Sequence, residues 1–209
     1  GTPKGMNGFW QLYNLSDSNP DWRHWKFSSY HNPHIPAEEL EKLRAAMSGR
    51  AFEQEIMAEF IPDGAGVFRN VRAFSTLAPE EPIEDRQYVI GRDWGRTNDP
   101  SVSSVWDILA RREVRLEVEN DLPFALQLSR LKALSERYND ALVVAEQNSL
   151  GDPLIEQAAT AGVRIMPFVT TNATKANAVD SLALACERQD IGLQSDEQGI
   201  LQMEAFESS

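Results

Sequence analysis

Three acidic residues and their neighbours set the chemistry this sequence could perform. From Gln87 to Ser101 the chain reads Gln-Tyr-Val-Ile-Gly-Arg-Asp-Trp-Gly-Arg-Thr-Asn-Asp-Pro-Ser, an apolar run (Tyr88, Val89, Ile90) that closes on Asp93. Gly95, Asp99 and Pro100 follow as turn residues. Ala141 to Glu146 (Ala-Leu-Val-Val-Ala-Glu) repeats the layout, a second short apolar run ending in an acid. Such runs, bounded by Gly, Asn and Pro, predict buried strands. The C-terminal ends of strands are where open α/β sheets place their ligands. Two carboxylates brought together there would offer the oxygen ligands that a hard divalent cation such as Mg2+ takes. Asp99, six residues after Asp93, lies in a loop able to fold back beside them. Either segment alone also fits a strand that ends in a polar turn, where Asp and Asn are common for local reasons. The repeat points to a paired site.

For Asp93 and Glu146 to converge, their strands must be neighbours in one sheet. The chain between and after them supplies that sheet. Ser101 to Leu109 predicts a second strand with Val102, Ser104, Trp106 and Ile108 on one face, and Ala110-Arg111-Arg112 turns the chain. Val114, Leu116 and Val118 alternate with Arg115, Glu117 and Glu119, the pattern of a half-exposed antiparallel strand. Pro123 opens a helix bearing Phe124, Leu128, Leu131, Leu134 and Tyr138. After Glu146, Asp152 is the expected N-cap and Pro153 the first residue of a helix that ends at Gly162. Val163 to Phe168 predicts another strand, Thr170 to Lys175 opens a helix continuing to Cys186, and the tail from Gly199 to Ser209 suits one more short strand. This order predicts an α/β domain, a mixed sheet with helices on both faces, which is the layout of a ribonuclease H-like fold.

Ahead of it, Gly1 to Trp10 opens inside a strand-to-helix turn, so further chain is expected upstream. That opening lacks the G-x-x-x-x-G-K-[ST] spacing of a phosphate loop. Trp22 to Tyr30 alternates as a strand, and Pro36 with Glu38 and Glu39 starts a helix running to Met47. Phe52, Ile56 and Phe60 carry a second helix. His24, His31 and His34 are scattered, without the spacing of a zinc site. Residues 61–84, rich in Gly, Pro and acids, read as a connector between an N-terminal segment (1–60) and the main domain (85–209).

The totals fit an ordinary globular protein of 209 residues, 42% hydrophobic and 25% charged. No apolar run is long enough to span a bilayer, so no membrane association is expected. Cys186 is the only cysteine, so no internal disulfide is possible and a reducing compartment is the simplest expectation. A net charge of −12 argues against a free-standing nucleic-acid binder, unless local basic groups, bound cations or other subunits supply the attraction.

Thr2-Pro3-Lys4-Gly5-x-Asn7-x-Phe9 resembles the coupling segment near the end of the ATPase domain in the large subunit of tailed-phage terminases. Asn32-Pro33, Phe52-x-x-Glu55 and Glu59-Phe60 look like the region that closes that domain. Gly91-x-Asp93-x-Gly95, Asp99, Glu146-x-Asn148 with Gly151, and Thr174-Lys175 are similar to the family's headful-type nuclease domain. Each motif is short, and their order and spacing across nearly the whole chain carry the likeness.

The resemblance implies a partial ATPase-domain segment followed by a nuclease domain that cuts concatemeric viral DNA with two Mg2+ or Mn2+ ions. By position, Asp93 is then the first metal-bridging aspartate, Glu146 the second acidic ligand, and Asp99 an auxiliary ligand acting through water. Lys175, Arg92 and Arg96 are candidate contacts to the DNA backbone. The implied partners are double-stranded DNA, the portal protein and the small terminase subunit, in the host cytoplasm. The full protein is expected to form a ring, and the isolated fragment to be a monomer. The sequence departs from the family twice. The family's Walker segments lie upstream of Gly1, and its third acid comes from a helix that would follow Ser209; Asp196 and Glu204 do not sit in a matching context. Two rivals fit the residues. One is an actin-like or sugar-kinase phosphate-binding domain, whose loop resembles Asp93-Trp-Gly95-Arg-Thr97. The other is a non-catalytic module that holds DNA or docks partners.

Overall fold

The computed structural model describes residues 2–3, 8–61, 66–95, 99–147 and 151–206. Its elements in chain order are α1 (Gly8–Asn14), α2 (Ala37–Ala46), α3 (Gly49–Glu55), α4 (Val71–Phe74), β1 (Ser75–Leu77), β2 (Tyr88–Asp93), β3 (Ser101–Asp107), β4 (Arg112–Glu119), α5 (Phe124–Arg137), β5 (Leu142–Gln147), α6 (Gly151–Thr160), β6 (Ile165–Val169), α7 (Asn172–Glu187), β7 (Leu193–Gln194) and α8 (Glu197–Glu204). The chain divides into two compact units: residues 1–71 with 178–188 and 197–209, and residues 72–177 with 189–196. Among the described residues no helix is long and apolar enough to cross a membrane.

In the first unit, α2 follows Pro36 with Glu38 and Glu39 in its first turn and Arg44 in its last, charges that complement the helix dipole. Ser48 caps α3 by accepting the Ala51 N–H at 3.3 Å, and the Gly49 N–H donates to Glu187 Oε2 at 2.7 Å. Two expected strands are absent here. Residues 22–28 have no regular structure and Ser29–His31 form a 3-10 turn. Alternation alone did not make a strand there, and Trp25 and Phe27 are left exposed. The expected strand within residues 199–209 is instead α8: Glu197 lies in its first turn, and Ile200 is buried with Met203 one helical turn on. The segment read as a connector also carries structure. Val67, Phe68, Val71 and Phe74 are buried, and β1 pairs in parallel with β7. Its Gly, Pro and acidic content masked that apolar subset.

The second unit is built on a five-stranded sheet in the order β4-β3-β2-β5-β6. The β2, β3 and β4 strands form an antiparallel meander, while β5 and β6 run parallel to β2. Tyr88, Ile90, Val105, Val143 and Ala145 point to one face, where Leu131 and Leu134 of α5, Tyr138 just after it and Ala158 of α6 close the core. Full burial of Ile90, Val105 and Val143 contributes roughly 1.5–3 kcal/mol per side chain. β6 is an edge strand, and Pro167, which cannot donate to a further strand, sits within it. The α6 helix begins at Gly151, one residue ahead of the expected Asp152 cap.

Candidate active site

The register of β2 and β5 decides where the acids go. Arg92 pairs with Ala145, so one residue further on Asp93 and Glu146 lie side by side on adjacent parallel strands. Both belong to the face opposite the core, because side chains alternate along each strand. The row through them crosses the whole sheet: Val118 pairs with Val102, Val102 with Asp93, and Glu146 with Phe168. Asp93 is exposed and Glu146 half-buried, with apolar side chains to either side.

Electrostatics report the same crowding. Burial foremost, then the Glu146 carboxylate and more weakly that of Asp99, hold the Asp93 carboxyl above the usual carboxylate range. Arg92 and the Trp94 backbone N–H act against them. Asp99 lies against the end of β2. A Cβ on Gly95 would lie 2.2 Å from the Asp99 carbonyl oxygen, so only glycine fits beneath that backbone. The loop's stem is fastened by the Gly95 N–H, which donates to Ser101 Oγ at 2.9 Å. The Ser101 hydroxyl donates in turn to Gln127 Oε1 at 2.7 Å, and Gln127 is anchored on the Leu122 carbonyl at 2.9 Å.

Arg92 does not belong to a DNA-gripping surface, contrary to the expectation. Strand parity turns it to the core face, and its side chain and that of Glu119 are 1% and 4% exposed. Its Nη2 donates to Glu119 Oε2 and to Gln127 Oε1, both at 2.9 Å, and its Nη1 to Ser103 Oγ at 2.8 Å. Trp94 fills the core: it is buried against Phe124, with the Arg92 guanidinium 4.7 Å from its ring. Lys175 is exposed in the first turn of α7, where Thr171 and Thr174 cap the helix reciprocally. Arg96 and Asn148 lie outside the described residues.

Burial foremost and, more weakly, the Asp196 charge push the Glu113 carboxyl up, and Glu204 lies in α8 of the first unit. Among the described residues no group of three His, Cys, Asp or Glu side chains is placed to hold a metal ion. The donor set that is present nevertheless suits a hard divalent cation. Asp93 and Glu146 set anionic oxygens side by side, and an added positive charge would offset the Glu146 and Asp99 charges that, after burial, help to raise Asp93. Ser101 and Gln127, which hold the end of β2, carry no chemistry of their own and gave no signal in the sequence, whereas Gly91 stood out there only as part of a motif. The visible signal for Gly91 was a glycine inside an apolar strand run.

No protein-family model matches the chain. The large terminase subunit of Thermus virus P23-45 is 30% identical over 220 residues, spanning 93% of this chain and 45% of that protein. The chain thus spans about half the length of the curated relatives it matches. The crystal structure of the large terminase nuclease from thermophilic phage G20c with bound cobalt is 30% identical, with a TM-score of 0.63, covering 68% of this chain and 80% of that one. The same nuclease with bound magnesium is 29% identical with a TM-score of 0.62, covering 67% and 79%. The chain belongs to the terminase large-subunit family, and its mixed sheet is the ribonuclease H-like fold of that family's nuclease domain.

Proposed function

We propose that the chain is the nuclease part of a viral DNA-packaging motor, a divalent-metal-dependent endonuclease that hydrolyses phosphodiester bonds in concatemeric double-stranded DNA. The observation that supports it best is the β2–β5 register, which sets Asp93 beside Glu146. Bound at Asp93 and Glu146, with Asp99 as an auxiliary ligand, two Mg2+ or Mn2+ ions would supply an activated water and offset charge in an in-line displacement. The chain's own residues do the rest. Asp93 and Glu146 present anionic oxygens, and the Gly95–Ser101–Gln127 linkage ties the end of β2 to the start of β3 beside Asp99. Lys175 offers an exposed cation to a backbone phosphate. Bound cations also answer the difficulty posed by a net charge of −12, since they put positive charge where DNA must approach.

In this reading residues 1–60 are the end of an ATPase domain. The whole protein works as a ring with the portal protein and a small terminase subunit in the host cytoplasm, and the isolated chain is a monomer. The test is cleavage of supercoiled plasmid in Mn2+, in Mg2+ and in EDTA. Cutting should require metal and run faster in Mn2+, because two acids give Mg2+ little help toward its strict octahedral geometry. Asp93→Asn and Glu146→Gln should each abolish it. Lys175→Ala should weaken DNA binding on all sequences and reduce the salt slope by about 1. Cleavage that persists in EDTA, or in Asp93→Asn, would overturn the assignment.

A further inference from the structure

Gly91 lies at the middle of the sheet, in β2, on the same face as Asp93 and two residues before it. Among the described residues nothing asks for glycine there. Among the described residues only Gly162 is a glycine with positive φ, so the Gly91 backbone suits any residue. Among the described residues a Cβ at Gly91 would meet only the Ser104 carbonyl oxygen, at 4.0 Å, an ordinary contact. A strand interior normally favours a β-branched side chain at such a position, and a strand glycine with no internal cause marks a close approach by something else.

The row through Gly91 defines the gap. Gly91 pairs with Ser104 on one side and Val144 on the other, and beyond these stand Leu116 and Met166. With strands spaced about 4.8 Å apart, the notch between Ser104 and Val144 is roughly 10 Å across and floored by bare backbone. Val144, Leu116 and Met166 give it apolar walls, and the buried Glu113 carboxylate stands behind Ser104. The one hydroxyl, Ser104 Oγ, is already committed, donating to Glu113 Oε1 at 2.6 Å and accepting from Trp106 Nε1 at 2.7 Å. The notch therefore offers no free donor for a phosphate. It offers a shallow seat about 7 Å along the strand from Asp93, whose nearest charge, Glu113, is buried and already bonded to Ser104 and the Gln194 N–H.

We infer that the Gly91 notch seats a deoxyribose of the DNA strand, placing the neighbouring phosphate over Asp93 and Glu146. This rests on the nuclease reading above and goes beyond it by naming a positioning contact. The occupant fits because a deoxyribose is the uncharged part of the strand, and the notch is continuous with the acidic pair along β2. A 2′-hydroxyl would enter a wall with no free partner, so DNA should bind in preference to RNA of the same sequence.

The test uses Gly91→Ala and Gly91→Val, with three readouts. Thermal midpoints should be unchanged or higher, because the added side chain meets no clash and improves strand propensity. Mn2+ affinity by calorimetry should be unchanged. Binding of labelled duplex DNA by fluorescence anisotropy in Ca2+ should fall by roughly tenfold or more for Val and less for Ala, with cleavage falling in step. A lowered thermal midpoint would mean that protein fills the notch, and unchanged DNA affinity in Gly91→Val would mean that nothing does. Either result overturns the inference while leaving the nuclease reading intact. Wild-type protein that neither binds nor cuts DNA with metal present would instead remove both.

Discussion

Replacing Arg92 by Met should be among the most damaging single changes in the second unit, through stability and not through loss of a DNA contact. Arg92 and Glu119 are 1% and 4% exposed and meet at 2.9 Å. Burial pulls the Arg92 pKa down and the Glu119 carboxylate opposes it, so the guanidinium is held charged in a dry setting by that partner. Removing one member of such a pair strands the other, at a cost of about 3–5 kcal/mol. Two details set the magnitude. The bonds to Ser103 and Gln127 are lost as well, which adds to the damage. Arg130, half-exposed and 3.8 Å from Glu119, remains as a weaker partner and holds the total near the lower end. We expect roughly 3 kcal/mol from urea midpoints, followed by circular dichroism and by tryptophan fluorescence, since the Trp94 ring lies 4.7 Å from the guanidinium. Glu119→Gln combined with Arg92→Met should recover much of the loss, because the stranded charge is gone. Below the unfolding transition, the salt dependence of DNA binding should match wild type. A loss under about 1 kcal/mol, or a weakened salt slope at full folding, would refute the assignment of Arg92 to the core.

Further outcomes follow from the same contacts. Gly95→Ala must push the Asp99 backbone away from its 2.2 Å approach, so Mn2+ affinity by calorimetry should drop by roughly tenfold while the sheet stays folded by circular dichroism. The Cys186 thiol is buried, and desolvation pushes it up to about 11; iodoacetamide at pH 8 should leave native protein unlabelled and modify it fully in guanidinium. Burial foremost holds the Glu113 carboxyl above its ordinary range, although it accepts from the Ser104 hydroxyl and the Gln194 N–H. Its stabilising contribution is therefore fully present below the unfolded pKa and lost as pH rises through the folded value. Urea midpoints of wild type should fall relative to Glu113→Gln as pH is raised from 4 toward neutrality, and parallel curves would contradict this.

The site was legible where two local patterns agreed. Apolar runs ending in Asp93 and Glu146 gave both strands and both acids, and the intervening hairpin and helix gave the connection that makes those strands neighbours. Arg92 failed because its charge outweighed its position. Tyr88, Ile90 and Arg92 alternate on one face of β2, while Val89, Gly91 and Asp93 occupy the other, and that parity already turns the guanidinium inward. What the sequence could not show was the partner that makes burial tolerable, since Glu119 lies on β4 and Gln127 on α5, both far along the chain. The same limit explains residues 22–28 and 199–206. Alternation over a few residues predicts a strand only if another strand lies alongside. At Trp25 and Phe27 no ladder forms, and at Ile200 and Met203 helical spacing prevailed.

The acidic pair and the buried arginine are two consequences of one strand. Alternation forces neighbours in β2 to opposite faces, so a charge that ends the strand in the open is followed inward by a residue that must be buried. Here that residue is a cation, and its field also acts on Asp93, partly offsetting the push from Glu146 and Asp99. Arg92 thus steadies the site electrostatically without touching it. Its bond to Gln127, which also takes the Ser101 hydroxyl, links it to the stem of the Asp99 loop. Arg92→Lys is the variant that separates these roles. The ammonium keeps the charge near Asp93, but it lacks the planar fork that reaches Ser103, Glu119 and Gln127 together. If the linkage to the loop matters, Arg92→Lys should weaken Mn2+ binding even where circular dichroism shows a folded sheet. Wild-type affinity in a folded Arg92→Lys protein would show that the charge alone suffices and that the loop holds itself.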